Sequence, residues 1–92
     1  MVDSLFQAVY MNDLDTVKKL LDEQNVDVNE TDQLGRAPLQ IASYFGFYEV
    51  CKKLIEKGAK IDEDCFGRAE NGWDGFRQSE IIELLHERQN GN

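Results

Sequence analysis

Apolar side chains recur at spacings of three and four along most of the chain. Leu5, Ala8 and Val9 make one stripe, and Leu14, Val17, Leu20 and Leu21 a second. Leu39, Ile41, Ala42 and Phe45 follow, then Val50, Cys51, Leu54 and Ile55, then the run Ile81-Ile82-Glu83-Leu84-Leu85. This periodicity predicts helices near 4–11, 14–24, 38–45, 48–57 and 79–89. Punctuation agrees: Pro38 suits a first helical turn, Gly46 and Gly58 suit helix ends, and Ser79 is a fitting N-cap. No segment alternates with period two for long enough to predict a strand, so the expected class is all-α. Between the last two helices, Asn71-Gly72 and Asp74-Gly75 disfavour a helix, and residues 64–78 are expected to form a turn and an irregular loop.

The pattern also repeats. Asp32-Gln33-Leu34-Gly35-Arg36-Ala37 returns as Asp64-Cys65-Phe66-Gly67-Arg68-Ala69, displaced by 32 residues with only the second and third positions changed. Val17-Lys18-Lys19-Leu20-Leu21 returns as Cys51-Lys52-Lys53-Leu54-Ile55 at 34 residues, and Val28-Asn29 as Ile61-Asp62 at 33. Such a period marks stacked supersecondary units that bury a continuous core between neighbours. The expected units are about 4–31, 32–63 and a degenerate 64–89, with a tail at 90–92, all in one domain of antiparallel helix pairs.

Composition narrows the function classes. With 92 residues, 41% hydrophobic and 30% charged, the chain falls in the ordinary globular range for one domain. Its net charge of −8 argues against nucleic acid or an anionic membrane as partner, since both would repel it overall. No apolar run reaches membrane-spanning length, and the acidic start Met1-Val2-Asp3 is unlike a signal peptide. Two cysteines make no disulfide framework, so a reducing cytoplasm is the expected setting.

The inventory for catalysis is thin. His86 is the only histidine, no neighbour in sequence completes a triad with it, and a half-buried packing role is expected. Cys51 falls on an apolar face, whereas Cys65 is expected as an exposed thiol at a turn tip, its pKa raised by Asp62, Glu63 and Asp64. Asp62-Glu63-Asp64 before Gly67 fails as a calcium loop, because Phe66 takes a ligand position and no Glu closes the loop. Lys18-Lys19 and Lys52-Lys53 are expected on a solvated outer face. No enzyme, cofactor or metal site is expected.

Asp32-x-x-Gly35-x-Ala37-Pro38-Leu39-x-x-Ala42, then Gly46, Glu49-Val50, Leu54-Ile55 and Gly58-Ala59-x-Ile61-Asp62, resembles one complete ankyrin repeat. Leu5-Phe6-Gln7-Ala8 through Asp27-Val28-Asn29 is similar to an N-terminal capping repeat without its leading turn. Ala37 and Gln40 depart from the family's Thr and His, and Phe47 from the usual His after the glycine, so the hydrogen bonds bracing the turn must differ. The resemblance implies a short helical solenoid that binds protein through a concave face of turn tips and first-helix ends. It places Gln33, Leu34, Arg36, Tyr44 and Phe45 on that face in the full unit, Tyr10 and Met11 in the first, and Cys65, Phe66 and Arg68 in the third. Aromatic residues, Met and Arg are enriched at interfaces. Phe45 and Phe66 could instead pack under the irregular loop with Trp73 and Phe76.

The function this implies is a non-catalytic inhibitor, immunity-like protein or adaptor for a partner with a basic surface. Two alternatives stand beside it. One is self-association through the apolar face, giving a weak homodimer rather than a monomer; the other is a redox- or metal-responsive regulator using Cys51, Cys65 and His86.

Overall fold

The computed structural model describes residues 4–72 and 77–90, and among these it contains six α-helices and no strand. They are α1 (Leu5–Tyr10), α2 (Leu14–Glu23), α3 (Pro38–Phe45), α4 (Tyr48–Glu56), α5 (Glu63–Glu70) and α6 (Gln78–Asn90). Helices α1, α3 and α5 pack side by side in one layer, and α2, α4 and α6 in a second. Each first-layer helix also packs on the helix that follows it in the chain. Val9, Val17, Leu39, Val50, Leu54, Ile81 and Leu85 are fully buried in the seam between the layers. This is the arrangement that lets short helices stand, because their apolar stripes are covered by neighbours rather than by propensity alone.

Local chemistry sets the helix starts. The Ser4 hydroxyl accepts the Gln7 N–H at 3.2 Å. Asp13 accepts the Thr16 hydroxyl at 2.6 Å and the Thr16 N–H at 3.2 Å, and these bonds hold its carboxyl below the ordinary range. Ala37 has no acceptor with which to cap α3. There the buried Gln40 reaches back, and its Oε1 accepts the Ala37 N–H at 3.1 Å.

The tight turns between paired helices share one geometry. Asn12 and Gly46 both adopt left-handed backbone, at φ 52° and 79°. Beyond each, an N–H closes back over the helix end: Asp13 donates to the Ala8 carbonyl at 2.9 Å, and Phe47 to that of Ala42 at 3.1 Å. Side chains join the units as well. Asn29 donates to the Gly58 carbonyl at 3.2 Å and accepts the Lys60 N–H at 2.8 Å. Asp22 on α2 pairs with Lys53 at 3.0 Å and Lys57 at 2.8 Å. Lys53 is therefore not on a solvated face as expected: its side chain is only 16% exposed and braces α4 against α2.

The third unit departs most from expectation. Helix α5 spans residues 63–70, of which 64–70 were expected as turn and loop, and α6 starts at Gln78. The reason is local. Asp62 caps α5 by accepting the Cys65 N–H at 3.2 Å, and Glu63 and Asp64 favour its first turn electrostatically. Cys65 and Ala69, four residues apart, then supply the buried stripe. Asn71, which suggested a break, comes after the helix and ends it: its backbone and side-chain N–H groups both bond the Gly67 carbonyl, at 3.0 and 2.9 Å. The recurring hexapeptide thus takes two structures, a turn at 32–37 and a helix at 64–69. Residues 24–37 join α2 to α3, whereas only 57–62 join α4 to α5, leaving no length for a second projecting turn. Trp73 and Phe76, with the rest of the loop at 73–76, lie outside the described residues.

Candidate functional site

One self-contained turn projects from the stack. The Asp32 N–H donates to the Arg36 carbonyl at 3.0 Å, and the Gly35 N–H to that of Asp32 at 2.9 Å. The Asp32 carboxylate accepts the N–H groups of Leu34 and Arg36 and the Nε–H of Arg36, each at 2.9 Å. The Arg36 backbone N–H does most to hold this carboxyl below its ordinary pKa, with the other two donors adding to it. Gly35 closes the turn at φ 79°, where a side chain is disfavoured. Leu34 is held at the tip, 76% exposed, with Gln33 exposed beside it.

The exposed large hydrophobic residues among the described residues are Tyr10, Met11, Leu34 and Tyr44. All four belong to this turn or to the C-terminal ends of α1 and α3. Their backing is aromatic. The Phe45 ring meets Tyr10 edge-on at 5.8 Å and Tyr44 edge-on at 5.1 Å, and stacks on Phe47 at 5.5 Å. The Arg36 guanidinium lies 5.9 Å from the centre of the Tyr10 ring. Tyr10, Arg36, Ile41, Tyr44, Phe45 and Arg68 enclose a groove of about 250 Å³. Two arginines and no carboxylate line it, in a chain whose net charge is −8. Five residues expected on the binding face therefore meet in one groove, with Leu34, Gln33 and Met11 exposed on the same turn and helix ends.

Cys65 and Phe66 are placed elsewhere. Both were expected at a turn tip, but both belong to α5. Cys65 is 1% exposed, its thiol 4.0 Å from the Lys60 carbonyl, and burial pushes its pKa up to about 12. Phe66 is half-buried, with its ring 4.5 Å from that of His86 on α6. His86 is itself exposed rather than half-buried. Cys51 is also buried, 3.9 Å from the Ser43 hydroxyl, and burial raises its thiol to about 12. So high a pKa suppresses the thiolate through which cysteine reacts or ligates metal. Among the described residues no cluster of three His, Cys, Asp or Glu is positioned to hold a metal ion, and no helix is long and apolar enough to cross a membrane.

The sequence reading missed Ile41 as a groove residue and Gly72 as a packing residue. Ile41 is 3% exposed, and its core-like burial gave no sign that it also floors a groove. Gly72 rests against the backbone carbonyls of Tyr44 and Arg68, closing the end of α5 onto the end of α3. The Asn-Gly step marked a turn there but could not show what the glycine approaches.

The comparisons with known proteins agree with this architecture. The family model described as ankyrin repeats (3 copies) matches residues 5–92. Similar proteins include a palmitoyltransferase, akr1, of Schizosaccharomyces pombe, 41% identical over 59 residues, covering 64% of this chain and 9% of that protein. The serine/threonine-protein kinase VIK of Arabidopsis thaliana is 34% identical over 84 residues, covering 83% of this chain and 18% of the kinase. Ankyrin repeat domain-containing protein 29 of Danio rerio is 36% identical over 62 residues, covering 67% and 21%. The chain thus spans between about a tenth and a fifth of the length of these relatives. Ankyrin repeats are a protein–protein interaction module, found in some of these relatives alongside enzymatic domains. With its paired helices in two layers and a family match that runs from the first helix to the last residue, this chain belongs to the ankyrin-repeat family.

Proposed function

We propose that this chain is a non-catalytic binding module that docks a protein partner on the face formed by the 32–36 turn and the ends of α1 and α3. One observation carries the proposal: Tyr10, Met11, Leu34 and Tyr44, the exposed large hydrophobics among the described residues, all lie on that turn or at those helix ends. Scattered exposed apolar residues are ordinary, but a cluster backed by packed rings is what an interface core requires. Such a module blocks or positions its target, as an inhibitor, immunity-like protein or adaptor in the cytoplasm. The net charge of −8 favours a partner whose surrounding surface is basic, which would be steered in at a rate that falls as salt rises.

Calorimetric titration against a captured partner tests this. Tyr44→Ala is expected to weaken binding at least about tenfold, roughly 1.4 kcal/mol, with thermal stability little changed. The control is Lys18→Ala with Lys52→Ala, two exposed lysines that line a hollow on the opposite helices, expected to stay within about threefold. If the lysine pair matters and Tyr44 does not, binding is through the α2 and α4 surface instead. Light scattering separates a heterologous partner from self-association: a dimer that Tyr44→Ala dissociates assigns the same face to a second copy.

A further inference from the structure

The groove between α1, α3 and α5 contains one arginine that is held and one that is not. Asp32 fixes Arg36 through its Nε–H at 2.9 Å, and the guanidinium carbon lies 5.9 Å from the centre of the Tyr10 ring. Arg68, reaching the same groove from α5, has no hydrogen-bond or ion-pair partner among the described residues. The two arginines occupy equivalent places in the recurring hexapeptide, one on a turn and one on a helix, yet line the same groove. Any segment that covers the groove strips water from the Arg68 guanidinium. A guanidinium buried without a counter-charge is strongly unfavourable, and a cationic or purely apolar segment offers it backbone carbonyls but no negative charge. A carboxylate can, accepting two parallel N–H groups from the planar fork. The rings of Tyr10, Tyr44 and Phe45 around it favour an apolar neighbour beside that carboxylate.

We propose, resting on the concave-face reading above, that the groove recognises an internal Asp or Glu side chain of a partner segment, with Arg68 as its principal partner, Arg36 as the second and an apolar residue packed on Tyr10 and Tyr44. The chain's overall acidity repels an acidic partner at long range, so the segment is a lone carboxylate set among neutral or basic residues rather than an acidic tract.

The test is a selection of random twelve-residue peptides displayed with both ends blocked, on the full folded chain. Selected peptides are resynthesised with amidated C-termini, which excludes terminal carboxylates, and titrated by fluorescence anisotropy. Enrichment of one Asp or Glu is expected, next to an apolar residue. Changing that acid to its amide should weaken binding to the wild type at least tenfold and to Arg68→Gln less than twofold. Arg68→Lys, which keeps the charge but not the fork, should fall between. Circular dichroism checks that each variant folds, and Arg36→Gln provides a second variant should Arg68→Gln not fold. Peptides that need Tyr44 but tolerate acid-to-amide change within twofold overturn the carboxylate proposal and leave the concave face standing. Peptides indifferent to Tyr44→Ala overturn both. A selection that yields only basic or no binding peptides also overturns the carboxylate proposal.

Discussion

Leu54→Ala tests whether the two helical layers derive their stability from the seam between them. Leu54 lies on α4, which packs between α2 and α6 and against α3, and it is 0% exposed. The substitution removes three buried carbons, worth about 2.4 kcal/mol at about 0.8 kcal/mol each. Helices wall the site on three sides and cannot collapse far into the space, so a cavity contribution raises the expected loss to about 3–4 kcal/mol. A domain of this size holds only about 5–14 kcal/mol in total, so the variant should fold with much of its margin gone. In urea, with an m-value of about 1–1.5 kcal/mol/M, its midpoint should fall by about 2–4 M while m is unchanged. Ile55→Val, one residue on and half-buried, should cost less than about 1 kcal/mol. A Leu54→Ala midpoint within about 0.5 M of wild type, or no larger a shift than for Ile55→Val, would refute the placement of Leu54 in the seam.

Three further outcomes follow from single contacts. Gly72→Ala should destabilise the fold by about 1–3 kcal/mol by denaturant titration, because its Cβ would collide with the Tyr44 and Arg68 carbonyls; an unchanged midpoint would show that this approach is not tight. Asp32 has a lowered folded-state pKa, so at acidic pH the unfolded chain binds more protons. Its stabilising effect is therefore present above the ordinary carboxylate value of about 3.9 and lost as pH falls through the folded value beneath it. Asp32→Asn should flatten the acid limb of a stability–pH profile, and a limb of wild-type steepness would count against the three bonds at this carboxylate. Cys51 and Cys65 should resist a thiol-specific reagent in the native state and both react on unfolding in urea; rapid native labelling of either would revive a redox role.

Much of this architecture was legible in the residues. The stripes of Leu14, Val17, Leu20 and Leu21, and of Val50, Cys51 and Leu54, locate their helices to within a residue or so, because an amphipathic helix shows its period directly. The left-handed turn at Gly46 is equally local, depending on a residue that tolerates that backbone. Tyr10, Met11, Leu34 and Tyr44 stood out because large apolar side chains fell where the resemblance to ankyrin repeats implies an open face.

Other features needed three dimensions. The hexapeptides at 32–37 and 64–69 are nearly identical in sequence but differ in structure, because their contexts differ. Asp32 folds its turn over Gly35 with Pro38 waiting beyond, whereas Asp62 caps a helix that carries Asp64 into its first turn. That difference buries Cys65, turns Phe66 toward His86 and delivers Arg68 into the groove. The groove itself has no signature in any one unit, since its walls come from α1, the 32–36 turn, α3 and α5. Periodicity reports which face of a helix is buried, a property of neighbours along the chain. Which side chains share a groove depends on how the units stack, and that is decided by contacts between residues far apart in sequence.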